Sequence, residues 1–387
     1  MPRILALTLS RLCDRPLTLG DLGFPEPALP SEPQSPAAPR PVTAPARESG
    51  DPTNRRQALA LLGGVTTAPL LLPGKAAADT ATLYTTAATT SDLQPADLNE
   101  IDLAVHDLSA TFSARTPDQL WPIAAAYRHQ VHQLLRRPHT LREGRELTHH
   151  AGMLSVVLAW IAHDYGDTAT AFAADAWAHG EQADDPEVCA WAEDVRCTNA
   201  LYADRPYDAL TAATRGLAVA PRSGTAIVRL STQIARAHAK VGQRDAFETA
   251  AAGARTYMDR IPTHGAGLFG VDAVRILSYE ASAHGWLGKP LEAGRAAEEA
   301  IREYEAVTGL RQAPTRLAIA QLDLALSRVA LGQPDSAVEL GRRALSGDRV
   351  VDSIRSRARD LDRALRRNYP TVSDVREFSG QVHALRG

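Results

Sequence analysis

The sequence predicts an all-α fold, and three observations support this. Aromatic residues make up only 5% of the 387-residue chain while Ala and Leu are abundant, so residues with high helix propensity dominate. From Pro95 onward, apolar residues recur with a helical period that is interrupted by Gly, Pro and Asp. Small residues recur at fixed distances from these interruptions. With 44% hydrophobic and 22% charged residues, the chain can bury a sizeable core.

The N-terminal region has a different composition. Residues 25–53 contain nine prolines, and because proline lacks a backbone donor we expect a disordered linker there. The linker separates a short head, residues 1–24, from a segment at residues 54–78 with two arginines and an apolar run. Residues 76–92, rich in Ala and Thr, are expected to be weakly structured and to lead into a helical repeat domain at residues 95–387.

One spacing pattern recurs in the helical domain. A turn residue is followed five positions later by one residue and seven positions after that by another, and most of these residues are small. The five copies are Gly166, Ala171, Ala178; Asp204, Ala209, Gly216; Gly242, Phe247, Ala254; Gly288, Ala293, Ala300; and Gly332, Ala337, Ala344. The position seven residues before each turn is also small: Ala159, Cys197, Ala235, Ala281 and Ala325. We interpret each turn residue as a left-handed helix end, and the small residues as points where paired helices approach closely.

These spacings resemble tetratricopeptide (TPR) repeats, whose unit is a pair of antiparallel helices. The resemblance covers about residues 150 to 350, and further helices on both sides would give about seven pairs. It implies a right-handed superhelix with a concave face. The copies are divergent, because Ser155, Glu193, Ser231, Leu277 and Gln321 occupy the place of the large aromatic residue expected early in the first helix. A generic array of helical hairpins therefore remains open.

The head and the arginine segment carry a second resemblance. Leu9 to Phe24, with Asp14-Arg15-Pro16, Thr18 and Asp21-Leu22-Gly23, resembles the end of the helix-turn-helix domain of actinobacterial regulators of the xenobiotic-response-element (XRE) family. Asn54 to Gly63 matches a segment that commonly follows in that family. The alternative is that Arg55-Arg56, the apolar run and Ala76-Ala77-Ala78 form a twin-arginine export signal. The first interpretation implies a cytoplasmic transcriptional regulator, and the second implies an exported or envelope-associated helical scaffold.

The DNA-reading helices of such regulators have no counterpart ahead of Leu9, so we expect direct nucleic-acid contact to be lost. Either the chain is a relative of these regulators that lacks their DNA-binding domain, or its assigned start codon lies downstream of the true one. The net charge of -3 likewise gives no basic surplus for binding phosphates. Cys13, Cys189 and Cys197 lack metal-ligand spacing and predict buried thiols.

Motifs for catalysis and cofactors are weak. Gly265 to Gly270 fits GxGxxG, but it follows a helix rather than a strand, so we interpret it as an inter-repeat loop. Glu146 and His149, with His150 beside them, have the spacing of half a di-metal site, and no second half is present in the sequence. We expect neither an enzyme nor a cofactor, and the apolar run at Ala58 to Leu72 is too interrupted to span a membrane.

The concave groove is the candidate site. Aligning the turns places nine residues toward it, and they are Trp160, His163, Asp194, Thr198, Arg229, Thr232, Arg236, Arg275 and Ser278. We expect this groove to bind a peptide, a small signal or a protein partner. Its arginines would either bind carboxylates of an acidic ligand or pair with neighbouring Asp and Glu, and homodimer formation remains open.

Overall fold

The computed structural model describes residues 75–167, 169–261, 267–309 and 312–385, and this part of the chain is helical and contains no strand. The head, the linker and nearly all of the arginine segment lie outside the described residues. No helix in the described ranges combines the length and apolarity needed to cross a membrane. The helices are α1 (Lys75–Thr89), α2 (Pro95–Thr111), α3 (Pro117–Leu134), α4 (Leu141–Asp164), α5 (Thr170–Ala183), α6 (Pro186–Tyr202), α7 (Pro206–Val219), α8 (Ala226–Lys240), α9 (Arg244–Met258), α10 (Ala273–Trp286), α11 (Pro290–Ala306), α12 (Pro314–Ala330), α13 (Pro334–Leu345), α14 (Asp352–Asn368) and α15 (Ser373–Ala384).

Helix starts follow local chemistry. Seven helices (α2, α3, α6, α7, α11, α12 and α13) begin with proline, which has no amide hydrogen to leave unsatisfied and whose φ already suits a helix. Thr116 and Thr140 form capping boxes with Gln119 and Glu143 at the starts of α3 and α4. Asp185 caps α6 by accepting hydrogen bonds from two backbone amides of its first turn.

The predicted left-handed turns are confirmed at all five positions. The φ angles are +86° at Gly166, +57° at Asp204, +79° at Gly242, +68° at Gly288 and +80° at Gly332. In the last four copies the next helix begins two residues after the turn, and the predicted residues at both later positions are buried. The small residues seven positions before the turns are buried in all five copies.

The first copy was placed wrongly by two residues. Ala171 and Ala178 are exposed, and the buried positions are Ala173 and Gly180. The turn here is longer, because α5 begins four residues after Gly166. The spacing pattern assumed a constant turn length, so it could not detect this shift.

The expectation of weak structure over residues 76–92 was also wrong over most of its length, because α1 spans Lys75–Thr89. Its alanines have the highest helix propensity of any residue. Its threonines donate hydroxyl hydrogen bonds back to their own helix, for example from Thr82 to the carbonyl of Ala78 at 2.9 Å. These bonds satisfy side chains that otherwise compete with the helical backbone.

Within the compact unit of residues 78–387, nearly every helix packs against the next one along the chain. The exceptions are two pairs, α1 with α2 and α9 with α10. The second pair is joined by the long connection that contains the GxGxxG sequence. The even-numbered helices also pack against one another in succession from α2 to α14, and α14 contacts α4. The row of even-numbered helices therefore returns on itself, and this arrangement encloses the candidate site.

Two glycines test the importance of close helix approach. A Cβ at Gly216 on α7 would lie 2.8 Å from Glu193 Cβ and 2.9 Å from both methyl carbons of Leu230, whereas a Cβ at Gly253 on α9 would meet nothing within 4 Å. We expect Gly216→Ala to lower the free energy of unfolding by about 1–2 kcal/mol, because the gain in helix propensity does not offset overpacking. Gly253→Ala should raise it by about 0.5–1 kcal/mol. Urea unfolding of both variants measures the difference, and equal effects would contradict the role of close packing at Gly216.

Candidate functional site

Two adjoining cavities lie among the even-numbered helices. The inner chamber has a volume of about 110 Å³ and the outer chamber about 800 Å³, and Tyr202 and Arg236 line both. Side chains from α4, α6, α8, α10, α12 and α14 therefore meet in the inner chamber. Its lining consists of Phe112, Ser113, Trp160, His163, Asp164, Thr198, Tyr202, Arg229, Arg236, Leu268, Ser278, Tyr279, Thr315, Arg316, Ile319, Arg349 and Ser353.

Six of the nine predicted groove residues line this inner chamber: Trp160, His163, Thr198, Arg229, Arg236 and Ser278. The structure does not bring the other three to its wall. Asp194 is fully buried behind Arg229, and the Thr232 hydroxyl donates to carbonyls of its own helix. Arg275 is directed to a loop, as described below.

A buried polar network connects α6 to α8. Asp194 accepts hydrogen bonds from Arg229 Nη2 at 2.6 Å and from Gln233 Nε2 at 3.2 Å. Gln233 also donates to the Thr198 hydroxyl at 2.6 Å and accepts from Arg236 Nη1 at 2.8 Å. Although burial opposes the charged guanidinium, the Asp194 carboxylate holds the pKa of Arg229 above its ordinary value. For Arg229, the alternative of an internal ion pair is therefore the one that the structure contains.

Arg275 binds backbone carbonyls instead of a carboxylate. Its guanidinium donates to the Gly267 carbonyl at 2.8 Å and, at 3.4 Å, to the Leu268 carbonyl. Arg229 also donates to the Leu268 carbonyl at 3.4 Å, and Arg316 donates to the Gly267 carbonyl at 3.1 Å. Burial and the neighbouring Arg229 charge lower the pKa of Arg275. Part of the GxGxxG sequence thus lies against the arginines of the inner face and offers them carbonyl oxygens.

The same loop also contacts α2 and α6. The Leu268 amide donates to the Ser109 carbonyl at 2.9 Å, and the Phe269 amide donates to the Ser109 hydroxyl at 3.3 Å. Phe269 packs edge-on against Trp191 with ring centroids 5.2 Å apart. We call residues 267–271 the strap, because they connect α2 to α8, α10 and α12. The prediction of a loop for the GxGxxG sequence is confirmed for residues 267–270, and residues 265–266 lie outside the described ranges.

A second long-range contact joins the segment before α14 to the end of α4. Arg349, just before α14, donates to Asp164 at the end of α4 at 2.5 Å, and each side chain is only 5% exposed. The Arg349 guanidinium also lies 5.3 Å from the centre of the Phe112 ring. Burial raises the pKa of Asp164, although Arg349 acts in the opposite direction. This ion pair lies in the wall of the inner chamber.

The outer chamber is rich in cations. Its lining includes Arg236, Lys240, Arg357, Arg359 and Arg363 against two carboxylates, Asp204 and Asp360. Three of the cations surround the Trp286 ring, with distances to its centre of 5.5 Å for Arg236, 5.1 Å for Lys240 and 5.4 Å for Arg357. Such contacts stabilise cations without neutralising their charge.

Several buried donors of the inner chamber have no hydrogen-bond partner within the described residues. They are Trp160 Nε1, Arg229 Nε, Arg236 Nε, Arg349 Nε and Nη1, and the Thr315 hydroxyl. Since buried donors are nearly always paired with protein groups, water or a ligand, these atoms can hold the oxygen atoms of a bound molecule. The chamber therefore presents hydrogen-bond donors from five residues in four parts of the sequence: α4, α8, α12 and the segment before α14.

Other lining residues were missed by the sequence analysis. Tyr202, Lys240 and Trp286 each lie two positions before a turn residue, four positions after the lining residues Thr198, Arg236 and Ser282. Residues four apart share a helix face, so the turn register contained the signal that would have found them. The lining residues of α14 and the strap had no such signal, because no glycine turn follows α14.

Glu146 and His149, which have the spacing of half a di-metal site, are not part of a metal-ligand cluster within the described residues. The described residues contain no group of three His, Cys, Asp or Glu side chains placed to hold a metal ion. His149 Nδ1 lies 2.6 Å from the carboxylate of Asp185, the residue that caps α6. His150 is buried, and its ring packs edge-on against His149. Cys189 and Cys197 are buried free thiols, as predicted.

No protein-family model, curated protein or solved structure matches this chain.

The Asp194 network gives a stability prediction. Asp194→Asn leaves the buried Arg229 charge without its counterion, and we expect the free energy of unfolding to fall by about 3–5 kcal/mol. Asp204→Asn is the matched control, because Asp204 is 86% exposed in its ion pair with Lys240 and such pairs contribute less than about 1 kcal/mol. Urea unfolding of the two variants is the measurement. Similar losses in both would show that the buried network contributes no special stability.

His150 gives a pH prediction. Burial, with a smaller effect from His149, lowers its pKa from 6.5 to about 4, so the unfolded chain binds its proton more readily than the folded chain. This residue therefore makes the free energy of unfolding rise as pH increases from about 4 to 6.5, by roughly 3 kcal/mol in total. In His150→Gln this part of the rise should disappear. The exposed His106→Gln variant should keep the wild-type profile, and equal slopes in all three proteins between these pH values would contradict the assignment.

Proposed function

We propose that this chain is a ligand-binding module of the TPR type, which binds a short peptide or a small anionic signal in the channel formed by the two chambers. The packing of successive helices, the five left-handed turns and the buried small residues support a TPR-like superhelix. Its concave side would be the face of the even-numbered helices. A relation to XRE-family regulators is part of this proposal, and it rests on the sequence resemblance of residues 9–24 and 54–63.

The observation that carries the proposal is the concentration of buried cations and unpartnered donors around one cavity. Arg229, Arg236 and Arg349 are each at least 93% buried and line the inner chamber. Asp194 and Asp164 neutralise Arg229 and Arg349, but each of the three arginines keeps an unpaired buried nitrogen, and leaving such donors unpaired is costly. Aromatic rings of Trp160 and Tyr279 lie beside them, which suits a ligand with acceptor oxygens and an apolar part.

The position of the chamber suggests how binding would act as a signal. Its wall is built from α4, α6, α8, α10, α12 and α14, together with the strap and the end of α2. A ligand held there contacts segments that are far apart in sequence, and it favours whichever arrangement of these segments fits it best. In a regulator, this change of arrangement would be transmitted to a DNA-binding or dimerisation partner.

A pool of short peptides of random sequence tests the proposal. The full chain is incubated with the pool, separated by gel filtration, and the retained peptides are identified by mass spectrometry. We expect the retained peptides to be enriched in acidic residues, because the channel is lined by a surplus of cations. Ser278→Trp, which fills the inner chamber, should abolish the enrichment.

The control is Arg302→Gln, since Arg302 is exposed on α11 and lines neither chamber. It should retain the same peptides as the wild type. Circular dichroism confirms that each variant is folded. Retained peptides with the composition of the input pool, or unchanged retention by a folded Ser278→Trp variant, would contradict binding in the channel.

A further inference from the structure

Arg236 lies at the junction between the two chambers. Arg236 lines both chambers and is only 4% exposed. Its guanidinium lies 4.5 Å from the centre of the Tyr279 ring and 5.5 Å from that of Trp286. The two rings flank the guanidinium.

Arg236 differs from the other cations of the outer chamber in its pairing. Lys240 forms an ion pair with Asp204 at 3.0 Å, and Arg359 forms one with Asp352 at 3.4 Å. In the described part of the chain, Arg236 forms no ion pair, and its single hydrogen bond runs from Nη1 to Gln233. Its Nε has no partner. The edge of the guanidinium formed by Nε and Nη2 therefore has no hydrogen-bond partner among the described residues, and Nε itself is buried.

The charges around this edge do not cancel within the described residues. Five cations line the outer chamber, and the carboxylates that pair with them are Asp204, Asp323, Asp352 and Asp360. One positive charge remains, and it belongs to Arg236. A buried charge without a counterion is unfavourable, so the binding of one negative charge at this point is favoured.

We propose that Arg236 is the binding site of an oxyanion, which accepts two parallel hydrogen bonds from Nε and Nη2. A carboxylate or a phosphoryl group has the planar or forked pair of oxygens that matches this edge of a guanidinium. The inner chamber, at about 110 Å³, accommodates only a small group beyond the anion. The body of the ligand therefore occupies the outer chamber, beside Trp286 and Lys240. This inference rests on the proposed function and names the chemical group that the channel recognises.

Titration of the full chain with two simple probes tests whether Arg236 binds an oxyanion. Sodium acetate and inorganic phosphate are each titrated at constant ionic strength against chloride, and binding is followed by isothermal calorimetry and by the midpoint of thermal unfolding. We expect saturable binding of at least one probe. Saturation with acetate alone indicates a ligand carboxylate, and saturation with phosphate alone indicates a phosphoryl group.

Variants of Arg236 locate the binding. Arg236→Gln removes the charge and should raise the Kd of the bound probe at least about tenfold, because a charge-assisted bidentate contact is lost. Arg236→Lys keeps the charge without the fork and should have an intermediate Kd. Arg302→Gln serves as the matched control and should bind as the wild type does. If Arg236→Gln fails to fold by circular dichroism, Arg236→Lys decides the test.

Two results would overturn the inference. One is the absence of saturable binding of both probes, and the other is an unchanged Kd in folded variants of Arg236. These outcomes are separable from the peptide experiment. Equal enrichment of acidic peptides by the wild type and Arg236→Gln would support the channel as a binding site. It would contradict the role of Arg236 as the residue that binds the oxyanion. Saturable oxyanion binding without peptide retention would keep Arg236 as an oxyanion-binding residue and would contradict peptide binding in the channel.

Discussion

Close approach of neighbouring helices is the constraint on which the rest of this structure depends. At Gly216 a single added carbon would lie within 3 Å of both Glu193 and Leu230, and at Gly341 it would lie as close to Phe378 and Leu361. Side chains this small allow successive helices to pack without a gap. The left-handed turns then send each helix back along its predecessor, and the even-numbered helices come to lie side by side.

The row of even-numbered helices has an unusual interior for a packed protein. Its faces toward the chambers carry arginines, aspartates and serines as well as aromatic rings. Buried polar groups of this kind are costly unless they are satisfied, and most of them are. Asp194 and Gln233 hold Arg229 and Arg236, Asp323 holds Arg357, and Asp164 holds Arg349. Six of the buried side-chain atoms that remain unpaired within the described residues belong to the wall of the inner chamber, on Trp160, Arg229, Arg236, Thr315 and Arg349, which is why this space is the candidate site.

The strap explains why the predicted groove differs from an open concave surface. Residues 267–271 carry carbonyl oxygens to Arg229, Arg275 and Arg316, so two of the arginines predicted to meet a ligand bind the chain's own backbone. A further predicted residue, Asp194, is used to neutralise Arg229. Arg236 is the predicted arginine that keeps a free edge, and the difference between these similar residues depends on what lies opposite each one.

The sequence by itself determined the helices and their turns, because these depend on nearby residues. Proline at the first helical position, glycine in the left-handed turn and alanine at the contact positions act over a few residues. Six of the nine residues that their register placed toward the groove line the inner chamber. The one register error, at Ala171, arose where the turn is longer. Only the tertiary structure decided which polar groups are satisfied, because their partners come from distant parts of the chain. Arg349 contacts Asp164, which is 185 positions away in sequence, and the strap contacts Ser109, which is about 160 positions away. No local sequence pattern encodes such contacts.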